Sequence, residues 1–494
     1  MTIFMFVLYL VFMLSIGVYF YKQGKDDDTL SGYLLGGREL NPFVAAISAG
    51  ASDMSGWLLM GLPGAAYVSG YSAGWIGVGL ALGTWLNWRL VAKRFRVYTE
   101  VAGDSITLSD YFENRFRDDS RILRIVSAVF ILFFFFIYTS SGFVAGAKLF
   151  NTVFGISYIP ALLIGAIVIL GYTVLGGFLA VSWTDLFQGT LMLIALVGVP
   201  IGVYSALGGV RTTMDAVRDI NPNLLNFFAN PDGSSLGFWA TASLLAWGLG
   251  YPGQPHVIAR FMAIRDHNEV KTATRIGVFW VVISLACSVL IGTIGIVYLK
   301  DAPLQGADVE KIFMVLIQGV FHPAVAGLFL AAILAAVMST ADSQLLVTSS
   351  AFTKDFYQVF FKRDATDEEL VKVSRYSVII VAIVAFIIAL NPENKILDLV
   401  SYAWAGLGAT FGPIVVMSLY WRDMNRNGAI AGMVVGGLTV IIWNYLSGGI
   451  FDIYEILPGF VFACIAIYIV SKATGGASKE IREEFNKVMK LVKQ

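Results

Sequence analysis

Thirteen apolar runs, most of them 18 residues or longer, dominate the chain and leave it few folds to choose from. They cover residues 3–21, 42–67, 75–92, 122–147, 159–176, 186–207, 236–251, 276–298, 312–350, 376–390, 398–420, 428–445 and 454–471. Such a run crosses a bilayer only as a helix, because each backbone N–H and C=O must find its partner inside the segment. The expectation is an all-α polytopic membrane protein with about 13 transmembrane helices. Composition agrees: 57% of the 494 residues are hydrophobic and 14% are charged, against ~25% charged in soluble domains. No charge precedes Lys22, so the first run reads as a retained helix rather than a signal peptide. The ninth run is too long for one span, and reads as a loop-like start at 312–322 followed by a helix from about 323 to 350.

Basic residues orient these helices. All but six of the 34 Lys and Arg fall after odd-numbered helices or in the tail; the exceptions are Lys148, Arg211, Arg218, Lys300, Lys311 and Lys395. Cytoplasmic loops carry the excess of positive charge, which places the N-terminus outside and the tail in the cytoplasm. The largest basic loop, Arg89 to Arg124, fixes topology and meets anionic lipid heads. Net charge is zero, so no basic footprint argues for nucleic acid, and no obligatory protein partner is evident. Gly208 to Ser235 is polar and reads as an external surface loop. In the tail, Ile481, Phe485, Val488 and Leu491 stand near helical spacing, which suggests an amphipathic helix on the membrane or protein surface. Cys287 and Cys464 lie in apolar runs and read as small packing residues.

Helices two to six (42–207) and seven to eleven (236–420) form two sets of five, separated by 208–235. They follow a first helix and loop at 1–41 and precede two helices at 421–471 and a tail at 472–494. An odd number makes the second set enter from the opposite side, the arithmetic of an inverted repeat whose leading helices are the broken ones. The second helix contains Ser48-Ala49-Gly50-Ala51-Ser52-Asp53-Met54-Ser55-Gly56, with one carboxylate, three hydroxyls and two glycines. An acid at membrane depth costs ~2.5–3.5 kcal/mol or more and marks a functional site, unless it merely bonds a neighbouring helix. The seventh helix runs into Ala246–His256, where two prolines and three glycines interrupt it.

In the ninth helix Ala332, Ala336, Ser339 and Ser343 share one stripe, with Thr340 and Asp342 beside it. Small residues there serve close packing, or they leave room for hydroxyls that ligate a hard monovalent cation. Asp342 either tunes that ion site or titrates, or it sits in cytoplasmic water near the helix end. Asp185, with Thr184, either caps a helix start or lines the inward pathway. Tyr138 puts a phenol mid-helix, suited to covering a small polar ligand or to packing. His256, His267 and His322 are scattered, and no zinc spacing, Walker loop or Gly-x-Ser-x-Gly elbow occurs. That argues against an enzyme and against nucleotide-driven transport, and leaves a carrier run by an ion gradient or, in another class, a sodium-permeable channel or sensor.

The same residues carry a resemblance. The stretches 48–64, 176–185, 247–256, 332–340 and 401–406 resemble motifs of the sodium:solute symporter family, and from Tyr33 to Gly459 the chain is similar to its proline-transporting branch. The resemblance implies a LeuT-type core of inverted 5+5 repeats with one extra N-terminal and two extra C-terminal helices. It implies sodium-coupled import of L-proline across a bacterial cytoplasmic membrane by alternating access, with Na+ as coupling ion and no other cofactor. By it, Na+ is held by the backbone oxygens of Ala51, Met54 and Ala336 and the hydroxyls of Ser339 and Thr340, with Asp53 as the nearby acid. Proline falls to Ser55, Gly56, Tyr138, Trp247, Tyr251 and Pro255, and Asp185 and Asp342 are further coupling candidates. Ala341-Asp342-Ser343 departs from the neutral run of some proline carriers and keeps a related solute such as pantothenate as the alternative.

Overall fold

The computed structural model describes residues 1–23, 30–173 and 177–493. Gly176, at the head of the 176–185 motif, lies outside the described residues, as does Lys25 in the first loop. The principal helices are α1 (Thr2–Gln23), α2 (Pro42–Asp53), α3 (Leu62–Ser69), α4 (Gly74–Leu86), α5 (Ile122–Phe154), α6 (Tyr158–Thr173), α7 (Phe178–Ala206) and α8 (Phe238–Leu245). They continue with α9 (Pro255–Ala263), α10 (Val270–Tyr298), α11 (Pro323–Ser350), α12 (Asp367–Ile388), α13 (Ile396–Tyr420), α14 (Arg426–Trp443), α15 (Ile456–Ala473) and α16 (Lys479–Lys493). Among the described residues nine helices are long and apolar enough to cross a membrane, and a further pair reaching from Pro42 to Val101 is bent by 63° at 54–56. Among the described residues the β structure is limited to isolated bridges, Leu40 with Ile264 and Ala229 with Ser235.

Burial sorts these helices. In α11 and its extension, 83% of the most apolar window is buried, against 22% in α1, 28% in α15 and 33% in α12. α11 is therefore the axis of the molecule, and the other three face outward with Phe4, Val7, Ile379, Ile383, Ile465 and Ile469 exposed. Continuous apolar exposure of this kind is stable against lipid, not water.

Local chemistry sets the boundaries. Asn41 caps α2 by accepting from Phe43 N–H (3.1 Å) and Val44 N–H (2.9 Å), with Pro42 in the first turn. Thr366 and Asn425 cap α12 and α14 in the same way. α4 passes through a wide π-type turn at Asn87–Ala92 and continues to Val101.

Three elements depart from expectation, and a fourth, the tail helix, takes one of the two surfaces expected for it. The sixth span begins at Phe178 rather than near 186, so Asp185 is two turns inside α7 and caps nothing; Thr184 bonds back to the carbonyls of Ala180 and Val181 instead. The segment expected to be loop-like at 312–322 is mostly a helix, Ile312–Val320, ended by the Phe321-His322-Pro323 step. The stretch expected to be an external surface loop contains an amphipathic helix, Val210–Ile220, whose Thr213 and Val217 are buried; its polar residues hid it from hydropathy. The tail helix α16 packs on protein: Ile481, Phe485 and Val488 are buried, Glu484 pairs with Arg117, and Phe485 lies 6.4 Å from the Tyr98 ring.

Backbones meet closely where glycine permits. A Cβ on Gly79 would overlap the Leu245 carbonyl, and one on Gly83 the Gly248 carbonyl, which binds α4 against the end of α8. A Cβ on Gly292 would strike the Pro63 carbonyl, fastening α10 to α3 in the same way.

Candidate functional site

Two helix interruptions lie in the middle of the molecule, the first facing α11 and the second packed against α13. At the first, α2 stops at Asp53 and Met54 leaves helical geometry (φ −85°, ψ 78°). The Ser55 N–H, which would have gone to Ala51 in a continued helix, goes to the Asp53 carbonyl at 3.0 Å. Ala51 O therefore accepts two hydroxyls from across the gap: Ser339 Oγ at 2.8 Å and Thr340 Oγ1 at 3.2 Å. Ser339 Oγ also lies 3.1 Å from Ala336 O. The expected cation ligands Ala51, Ala336, Ser339 and Thr340 thus converge on one spot, while Met54 stands at the same break with its N–H on Gly50 O (2.9 Å). The small-residue stripe is what lets α11 come this near, and Ala332, Ala336, Ser339 and Ser343 are fully buried.

At the second interruption α8 tightens into a 3-10 segment over Ala246–Gly253, Gln254 is extended, and Pro255 starts α9. Aromatic residues wrap the two breaks. Tyr251 donates to Asp53 Oδ2 (2.8 Å), while Tyr138 OH (3.2 Å) and Trp57 Nε1 (3.1 Å) both donate to the Asp53 carbonyl. The Trp247 ring lies 6.2 Å from Trp57 and stacks on Tyr454 at 5.5 Å. Trp404 donates to Trp247 O at 2.7 Å and meets Tyr251 edge-on at 5.0 Å. Ser55 and Gly56 follow in the first break and are buried, and a Cβ on Gly56 would come within 2.6 Å of Ala145 Cβ. Of the six expected substrate residues, Pro255 stands apart: it lines a separate cavity with Phe178, Ile258, Leu346 and Asp355, toward the basic loops.

Arg260 was invisible in the sequence, where it counted as one more loop charge. It is fully buried in α9 and bonds Asp185 Oδ2 (3.1 Å), Ser343 Oγ (2.6 Å), Ser48 Oγ (3.0 Å) and the His256 carbonyl (2.9 Å). Ser48 completes the knot by donating to Asp185 at 2.6 Å. Asp342 is buried one turn from Ser339, not in water at a helix end. Its neighbour in the stripe, Ser343, was the available signal, since a buried hydroxyl row beside two acids calls for a cation.

Charged clusters close both ends. At one, Lys148 Nζ bonds Glu310 Oε2 at 2.6 Å, and Glu310 also accepts the N–H groups of Ile396 and Leu397 at 3.0 Å each, capping α13. At the basic end Arg124 holds Asp110 (2.6 Å), Glu113 and Asp355 (3.2 Å), and Lys354 also pairs with Asp110. Burial would raise the Asp110 carboxyl, but Lys354 and Arg124 outweigh it and hold it below the ordinary carboxylate range.

A bundle of long apolar helices around two opposed helix breaks defines an ion-coupled carrier of the alternating-access class. A solved Na+-coupled sialic acid symporter shares this fold, with a TM-score of 0.79 over 97% of this chain and 99% of that one at 22% identity. The family model of the sodium:solute symporter family matches residues 33–436, and the chain belongs to that family. It is 49% identical to a sodium/proline symporter of Escherichia coli over 97% of this chain and 94% of that protein. It is equally 49% identical to a high-affinity proline transporter of Bacillus subtilis, over 96% and 98% respectively.

Proposed function

We propose that the chain is a sodium-coupled symporter that imports L-proline across a bacterial cytoplasmic membrane. The observation that carries this is the Ala51 carbonyl, freed by the break in α2 and faced by the Ser339 and Thr340 hydroxyls of α11. Carbonyl and hydroxyl oxygens suffice for a hard monovalent cation, and a Na+ ion there, with Ala336 and Met54 adding carbonyls, ties α2 to α11. Proline occupies the adjoining cage: Ser55 and the backbone at Gly56 meet its carboxylate and ammonium, and Tyr138, Trp247 and Tyr251 enclose its ring. Pro255 acts later, on the path to the cytoplasm. Asp185, locked to Arg260, and Asp342 couple ion occupancy to the position of α9.

In this reading the polypeptide crosses the membrane 13 times with its N-terminus outside, and 42–207 and 236–420 are inverted LeuT-type repeats. Lys148–Glu310 then closes the outer face and the Arg124 cluster the inner one. The repeats rock about the bound pair, so each face opens only when its ion pairs part. One charge moving through 100 mV contributes ~2.3 kcal/mol, or about 50-fold accumulation of proline. Radiolabelled proline uptake into proteoliposomes tests the proposal: it requires an inward Na+ gradient, and uptake that is absent or indifferent to Na+ overturns it. Competition by other amino acids and by pantothenate fixes the substrate, with only close proline analogues expected to compete.

A further inference from the structure

Asp53 has one oxygen on Tyr251; its other oxygen, Oδ1, is buried without a hydrogen-bond partner. Both amide atoms of Asn87, on α4's π-type turn, are likewise buried and unpartnered. Asp53, Asn87, Thr84 and Tyr251 line one small cavity of about 10 Å³, walled by Gly50, Trp88, Gly277 and Val281. That is room for a single water-sized guest. A buried carboxylate facing only neutral groups calls for a positive charge, since the charged form pays a large desolvation cost when left alone. The guest also needs more than one oxygen ligand, and the cavity offers a carboxylate, an amide carbonyl and two hydroxyls.

We infer that this cavity is a second site for a desolvated monovalent cation, filled by Na+, which stays in the protein while the ion at Ser339 is transported. The inference rests on the sodium-coupled reading above. Its second half follows from which helices supply the ligands. The Ser339 site spans α2 and α11, so relative motion of those helices makes and breaks it. The polar ligands of the Asp53 cavity, Asp53, Thr84, Asn87 and Tyr251, come from α2, α4 and the end of α8, while α9 and α10 add only the non-ligating walls Val257, Gly277 and Val281. Those elements touch backbone to backbone at Gly79, Gly83 and Gly248, and α10 meets the continuation of α2 at Gly292. Trp280 of α10 lies flat against Gly50 and donates to the Gly189 carbonyl at 3.1 Å. Ligands carried on one tightly packed group do not separate when that group moves as a unit. A π-type turn at Asn87 aims its amide inward, a placement such turns favour at functional sites.

The test counts radiolabelled Na+ bound by the purified full chain, together with the ratio of charge to proline moved in proteoliposomes. Wild type is expected to bind two ions per chain and move one charge per proline. Asn87→Leu and Ser339→Ala are each expected to bind one, by losing different ions, while Asn87→Asp retains two because it keeps an oxygen ligand. If Asn87→Leu fails to fold, Thr84→Val replaces it, with at least tenfold weaker binding of the second ion expected. A wild-type count of one ion, lost in Ser339→Ala, means that the cavity holds only water and overturns the proposal. So does a count of two in Asn87→Leu, and a ratio of two charges per proline overturns residence. A wild type that binds no Na+ and takes up proline without it refutes the sodium-coupled reading itself, a failure distinct from all of these.

Discussion

Ser339 reaches the Ala51 carbonyl with a single hydroxyl, and that atom is the cheapest to remove. Ser339→Ala is expected to raise the Na+ concentration for half-maximal proline uptake at least tenfold, about 1.4 kcal/mol of ion binding, with the fold intact. Gly56→Ala meets Ala145 in a packed interior and should cost ~1–3 kcal/mol, read as a lower unfolding temperature together with lost proline binding. Arg260→Ala strands Asp185 in a dry core and should destabilise the detergent-solubilised protein by ~3–5 kcal/mol; Arg260→Leu with Asp185→Leu should recover most of it. Legibility in the sequence also divides at this scale. Asp53, Ser339 and Tyr138 stood out because an ionisable or hydroxyl group at membrane depth is rare. Arg260, Asn87 and Lys148 did not, because a polar residue near the end of an apolar run reads the same whether it faces water or a buried partner.

At the scale of elements, the breaks in the second and seventh spans were legible because proline and clustered glycine have few other uses inside a membrane. The start of α7 was not: Ser182 to Asp185 interrupts the apolar run in sequence, and only Arg260, 75 residues away, accounts for its acid inside a helix. Helix Ile312–Val320 escaped for the opposite reason, since its apolar residues merged with those of α11. The charged clusters give this scale its predictions. The Asp110 carboxyl is depressed in the folded protein, so its contribution is present above the unfolded value and disappears as pH falls through the folded one. Thermal unfolding of the purified protein should therefore shift downward between about pH 5 and pH 3, and Asp110→Asn should flatten that dependence. Lys148→Ala leaves Glu310 buried without its cation and should lower the unfolding temperature more than Glu310→Gln, which keeps an acceptor for the α13 N–H groups.

Over the whole molecule, helix after helix repeats one division of labour: outward faces that are apolar without pattern, and inward faces that are small, hydroxylated or glycine. The first property made the class of protein evident from hydropathy alone. The second shows only where helices touch, which is why the site emerged as separate motifs rather than as a pocket. Packing density follows the same division, with α11 at the centre and α1, α12 and α15 at the rim. The contact of α4 with the end of α8 at Gly79, Gly83 and Gly248 has a consequence of another kind. With no side-chain layer between the backbones, neither can open without the other, so their amides form one cooperative unfolding unit. Deuterium exchange in detergent should find the two segments protected together and exchanging at a common rate, more slowly than the exposed face of α12.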